Sequence, residues 1–258
     1  MNVLDCESVA TTYNSIANLF GTDRKSLEIV FENLDVEKLY IDNPRYPEPP
    51  DDYVFSLLRK NFTFDISILD KICWFHLTRV SQPETFYNKG ILPLSDVIND
   101  IWTFLYTLID HKISLLEWKQ FRENLSNNHS SQLYNMKIKN SMHWGPYAIL
   151  VRELAFKAKE IDNHDYLRTP EIVEDICQCC YERFEIDLLN HYIENTKPCI
   201  VKFIDDDVRL DYVNRAIYYL YNTYKGNKYS LYCSTNYDSR AKKITREKIL
   251  KIELINLS

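Results

Sequence analysis

The amino-acid sequence predicts an α+β fold, with a helical N-terminal region over 1–70 and an α+β region over 71–258 that carries a helical insertion at about 95–195. Three observations carry this expectation. Residues 72–80 alternate with the two-residue period of a strand. Further strand-like runs come only beyond residue 199, and the stretch between keeps its apolar residues at helical spacing. A single sheet must therefore join the middle of the chain to its end.

The elements follow in order. Ser8 to Phe20 has apolar positions at helical spacing, and Thr22-Asp23 supplies an N-cap before a helix from Lys25 to Leu34, with Gly21 between the two. Asn43-Pro44-Arg45-Tyr46-Pro47-Glu48-Pro49-Pro50 cannot be helix, because its prolines lack a backbone donor and push their predecessors to extended shapes, so it is the predicted linker. A short helix from Asp52 to Arg59 follows. In the strand Ile72 to Val80, Cys73, Phe75 and Leu77 share one face while Trp74, His76 and Thr78 share the other. Phe86 to Leu94 reads as a short helix or turn ended by Gly90, then an extended run. Helical spacing returns over 95–125, and Asn124 to Ser131 is a polar break.

Beyond the break, Gly145-Pro146 leads into a predicted helix from Tyr147 to Lys159. Thr169-Pro170-Glu171 combines an N-cap, a proline at the first helical position and early acids ahead of a helix from Ile172 to Asn190. The chain then gives a strand from Cys199 to Ile204, a helix from Val208 to Tyr221 and a strand from Tyr229 to Cys233. After a turn at Thr245 to Lys248 comes a last strand from Ile249 to Ile255.

Composition narrows the function classes. With 258 residues, 45% of them hydrophobic, the chain can bury a large core or two small ones. Its 31 Lys and Arg against 37 Asp and Glu argue against a broad nucleic-acid-binding face and leave room for a local basic groove. The seven cysteines follow no regular framework and sit largely in apolar runs, the usage of a reducing, cytoplasmic compartment. Residues 1–20 show no secretory signal, and the strongest apolar run, Ile101 to Ile109, is about half the ~20 residues a spanning helix needs. No membrane partner is expected. Four glycines cannot write a dinucleotide turn, a phosphate loop or a nucleophile elbow. Cys177-Gln178-Cys179-Cys180 is too tight for a zinc knuckle, so no metal is expected.

The most informative segment is Trp74-Phe75-His76-Leu77-Thr78-Arg79-Val80, followed by Phe86-Tyr87-Asn88-Lys89-Gly90-Ile91-Leu92-Pro93-Leu94. Period-two geometry places His76 and Thr78 on one otherwise apolar wall. A core histidine held by a hydrogen bond is the plainer account of His76 alone. With its neighbours, the H-x-T-R strand, short helix and Gly-Ile-Leu-Pro-Leu run resemble the opening of the ADP-ribosyltransferase superfamily, on the branch of DNA ADP-ribosyltransferase toxins and tRNA 2'-phosphotransferases. The resemblance covers about 21 residues, and Lys242 to Ile255 is similar to the turn and last strand that close such domains.

The resemblance implies a mixed, mostly antiparallel, ADP-ribosyltransferase-like sheet that uses NAD as substrate. It gives His76 the role of positioning the ribose on the nicotinamide side, and Thr78 and Arg79 that of holding the diphosphate. A family catalytic Glu is missing, since Tyr229 to Asn236 contains none. If the chain is a transferase, the carboxylate must come from elsewhere, with Glu171 and Glu174 at the Pro170 helix start ahead of Glu247. The expected activity is transfer of ADP-ribose from NAD to a protein or nucleic-acid acceptor. The alternative is a non-catalytic interaction or inhibitor protein on a degenerate version of the same fold.

Overall fold

The computed structural model describes residues 2–127 and 131–256 and is an α+β structure. In chain order the first half gives β1 (Val3–Leu4), α1 (Val9–Leu19), α2 (Arg24–Glu32), α3 (Val36–Asp42), α4 (Pro50–Asn61), β2 (Lys71–Val80), α5 (Thr85–Lys89), α6 (Leu94–Thr107) and α7 (Leu115–Asn127). The second half gives α8 (Gln132–Lys139), β3 (Tyr147–Ile149), α9 (Glu171–Phe184), α10 (Leu188–Glu194), β4 (Lys197–Asp205), α11 (Leu210–Lys225), β5 (Asn236–Asp238) and β6 (Ile249–Leu254). The strands form one sheet in the order β5-β3-β2-β4-β6, with β1 paired to β2. β1 runs parallel to β2 with Leu4 opposite Ile72, and β3 runs antiparallel to it with Phe75 opposite Ile149. Among the described residues no helix is long and apolar enough to cross a membrane.

The chain divides into two compact units. The first comprises Met1–Phe75, Ile149–His164 and Lys202–Tyr237, and the second His76–Ala148, Asp165–Val201 and Asp238–Ser258. The helical region expected over 1–70 falls within the first unit, which also takes up the two later segments.

In the first unit Asp23 caps its helix as the Thr22-Asp23 signal implies, and Ser8 adds a cap that the sequence reading does not name. Ser8 and Asp23 cap α1 and α2 by accepting from the backbone N–H groups of Thr11 and Ser26. α11 packs on α4, α1 and α2 and buries nearly every residue from Tyr212 to Asn222, so it is the spine of this unit. Several polar groups inside are paired, while Asp51 Oδ1, Trp74 Nε1, Asn214 Oδ1 and Arg215 Nη1 are buried without a hydrogen-bond partner. Lys202 reaches Asp5 at 2.6 Å and Glu7 at 2.7 Å, Arg215 reaches the buried Asp51 at 3.2 Å, and Glu153 accepts from Tyr219 at 2.6 Å and Tyr229 at 3.0 Å. The proline-rich predicted linker joins α3 to α4 within this unit, and Pro50 opens α4.

The second unit has its own core, in which Trp102, Trp118, Phe121 and Tyr134 pack with Ile172, Ile176, Cys180 and Tyr192 from α9 and α10. Both indoles are satisfied: Trp102 donates to the Tyr134 hydroxyl and Trp118 to the Trp102 carbonyl, each at 3.1 Å.

Four expectations change. The helix expected from Tyr147 to Lys159 is instead β3 and a 3-10 turn at Arg152–Phe156, because Ala148, Ile149, Leu150 and Val151 are all buried and the run is claimed by the sheet. The strand expected from Tyr229 to Cys233 is a 3-10 turn at Leu231–Cys233, fixed when the Ser230 hydroxyl accepts from the Tyr232 N–H; the strand itself lies at β5. The helix expected from Ile172 to Asn190 breaks where Glu185 turns left-handed at φ 56°, and α10 restarts under the Asp187 cap. The polar break at Asn124 to Ser131 begins as the last turn of α7, and Asn128, His129 and Ser130 lie outside the described residues.

Candidate active site

The functional candidates from the sequence, His76, Thr78, Arg79, Glu171 and Glu174, all belong to the second unit. His76 is half-buried on β2, and its Nδ1 lies 2.7 Å from the Tyr147 carbonyl. A carbonyl only accepts, so Nδ1 carries the hydrogen and the neutral ring keeps its acceptor at Nε2. Burial lowers the His76 pKa below its ordinary value, and the bond to Tyr147 opposes that in part. The Phe86 ring of α5 meets the imidazole edge to face at 6.4 Å. The strand alternation thus produces a neutral, oriented imidazole beside an aromatic wall.

Arg79 occupies a different position. Its guanidinium donates to the Thr196 hydroxyl at 2.9 Å, the Leu167 carbonyl at 3.0 Å, and the Ile193 and Thr196 carbonyls at 2.9 Å each. Four of its five N–H donors are therefore committed to the protein itself, most of them at the C-terminal end of α10, where a cation is favoured. A bidentate arginine–phosphate contact uses a forked pair of donors, and Arg79 retains a single N–H. Thr78 is half-buried, and its hydroxyl makes only a long contact of 3.5 Å to the Arg79 carbonyl. Of the residues expected to hold NAD, His76 keeps Nε2 as an acceptor, while Arg79 is engaged by the protein's own carbonyls and hydroxyl.

Glu171 opens α9. Its carboxylate accepts from the Tyr166 hydroxyl at 3.1 Å and faces the Lys137 ammonium at 3.3 Å, while Asp175 one turn on takes the same ammonium at 2.7 Å. Two carboxylates share one cation, which leaves the cluster with net negative charge. Burial and then the Glu171 charge hold the Tyr166 phenol protonated, well above its ordinary range. Tyr147 is raised by burial and by the charges of Asp238 and Glu171. Tyr147 thus takes the His76 hydrogen on its carbonyl, while its phenol donates to the Met142 carbonyl.

Glu174 lies on the same face of α9, and among the described residues no hydrogen bond joins it to His76. Glu247 is exposed and paired with Arg246 at 2.9 Å, which lowers its pKa to about 2. Tyr147, Tyr166 and Lys137 were not singled out in the sequence. The one available signal was Tyr166, five positions ahead of Glu171 in a segment already dense in polar groups. Trp144 donates its indole N–H to the Lys137 carbonyl at 3.1 Å and fixes the turn before β3. Among the described residues no group of three or more His, Cys, Asp or Glu could hold a metal ion. No family model matches the chain, and no curated protein or solved structure matches it.

Proposed function

We propose that the chain is a cytoplasmic, NAD-dependent ADP-ribosyltransferase-like enzyme that modifies a protein or nucleic-acid acceptor, with His76 and Glu171 at its centre. The observation that carries this reading is the fixed tautomer of His76, which offers Nε2 as an acceptor on the strand whose sequence resembles the family's opening. His76 Nε2 accepts a ribose hydroxyl hydrogen and orients the sugar. As the bond from the ribose carbon to nicotinamide breaks, its electron pair leaves with nicotinamide and positive charge grows on the sugar. The Glu171 carboxylate, held by Tyr166 and sharing Lys137 with Asp175, opposes that charge. An acceptor nucleophile then bonds to the ribose carbon and gives its proton to solvent. All seven cysteines are free thiols, which supports placing the chain in a reducing compartment.

The test is nicotinamide release from NAD, together with calorimetric binding of NAD. His76→Ala is expected to weaken NAD binding, and Glu171→Gln to cut turnover on the order of 10²–10³-fold. Native turnover in a folded Glu171→Gln variant would remove Glu171 from this role. A second reading, a non-catalytic interaction protein on a degenerate version of the fold, is favoured by the engagement of Arg79 in the protein's own hydrogen bonds. Absence of NAD binding by the native chain at millimolar concentration would select it.

A further inference from the structure

We propose that the outer edge of β6 is a docking site for an acidic, extended segment of a partner protein, which adds to the sheet as one more strand. This inference does not rest on the NAD reading. β6 is terminal in the order β5-β3-β2-β4-β6, and the chain just past it is tied to the β4 side, where the Ile255 N–H donates to the Pro198 carbonyl at 2.8 Å. A terminal strand presents on its other side a row of backbone donors and acceptors suited to an incoming strand. No residue of β6 is buried, and Leu250 and Leu254 are 51% and 42% exposed, with Ile252 between them on the same face. An extended partner with apolar residues at alternate positions would cover them.

The approach to this edge is cationic. Arg240, Lys242, Lys243, Arg246 and Lys248 fall between residues 240 and 248 with Glu247 as the only acid, in a chain whose net charge is -6. Arg240, Lys242, Lys243 and Arg246 are exposed. The segment is fixed in place: Ile244 and Ile91 exchange backbone hydrogen bonds at 2.9 Å, and α5 packs on the Arg246–Lys248 turn and on β6, with its Lys89 paired to Asp100. The exposed cations just ahead of β6 favour an acidic strand as the occupant. A nucleic acid would use the cations and leave Leu250 and Leu254 without a counterpart.

The experiment is fluorescence anisotropy of the full chain with a labelled short peptide of alternating glutamate and valine. In parallel run the same peptide N-methylated at alternate residues, a labelled single-stranded oligonucleotide, and the Lys242→Glu/Lys243→Glu variant, its fold checked by circular dichroism. Saturable binding of the plain peptide is expected, weakened about tenfold by the charge reversal and abolished by N-methylation. Equal binding of the N-methylated peptide would overturn strand addition whatever the variant does. Binding of the oligonucleotide but not the peptide, or of neither at millimolar concentration, would overturn the proposal as well.

Discussion

At the scale of single residues, Arg79 and His76 lie three positions apart on β2 and have opposite fates. Arg79 is a clamp: its partners Leu167, Ile193 and Thr196 lie 88, 114 and 117 residues away in sequence. Arg79→Ala would leave several carbonyls without a donor and is expected to destabilise the chain by about 2–4 kcal/mol, with Arg79→Lys recovering only part because an ammonium cannot reproduce the fork. Urea denaturation checks this, and a variant of native stability but lost NAD affinity would return Arg79 to the diphosphate role. His76 should report through pH. Its folded pKa lies below the ordinary value of 6.5, so folding favours the neutral ring. The stabilisation is complete above the unfolded pKa and is lost as pH falls from there through the lower folded pKa. Between about pH 7.5 and about pH 5.5 the native chain should lose more stability than His76→Gln. Equal losses would mean the imidazole is not held neutral. Strand alternation revealed His76, whereas the duty of Arg79 was hidden, since nothing local in a sequence marks partners so distant.

Among the elements, those with a self-contained signal were legible. The Asp23 cap, the alternating β2 run and the glycine after α5 are each read from a few neighbouring residues. β3 was not, because Ala148 to Val151 is apolar at every position, and only its pairing with Phe75 decides between helix and strand. The β5 region failed for a related reason: aromatic residues at 229–233 suit a strand, yet Ser230 caps a turn and Cys233 is fully buried. Gly90 offers a test of the link between α5 and the segment before β6. Its φ is +73°, and a Cβ there would sit 2.2 Å from the Ile244 carbonyl oxygen. Gly90→Ala must strain its own backbone and open the Ile91–Ile244 bridge, so a loss on the order of 2–4 kcal/mol is expected. Hydrogen exchange at Ile91 and Ile244 should accelerate. A variant within about 0.5 kcal/mol of native stability would show that the bridge bears little strain.

For the whole molecule, the α+β class was readable because strand-period and helix-period segments are well separated, while membership of the two compact units was not, since each unit draws on three stretches of chain. The thiols test burial across the molecule. Cys179 is half-buried and the other six are buried, and burial pushes Cys73, Cys180 and Cys199 up to about 12 and Cys233 up to about 11. A thiol reagent near neutral pH should titrate Cys179 first and slowly, and all seven cysteines once the chain is denatured. Rapid reaction of several thiols in the native state would contradict this burial. The spread of the sheet along the chain has a consequence for synthesis. Its strands span from Val3 to Leu254, and β2 ends at Val80 while its neighbour β4 begins only at Lys197. At ~5–20 residues per second, β2 emerges from the ribosome on the order of ten seconds before that neighbour exists. Trp74 and Phe75 must wait that long for their full cover, so a nascent chain stalled before Lys197 presents a sticky, half-paired strand to whatever chaperone or aggregate meets it first.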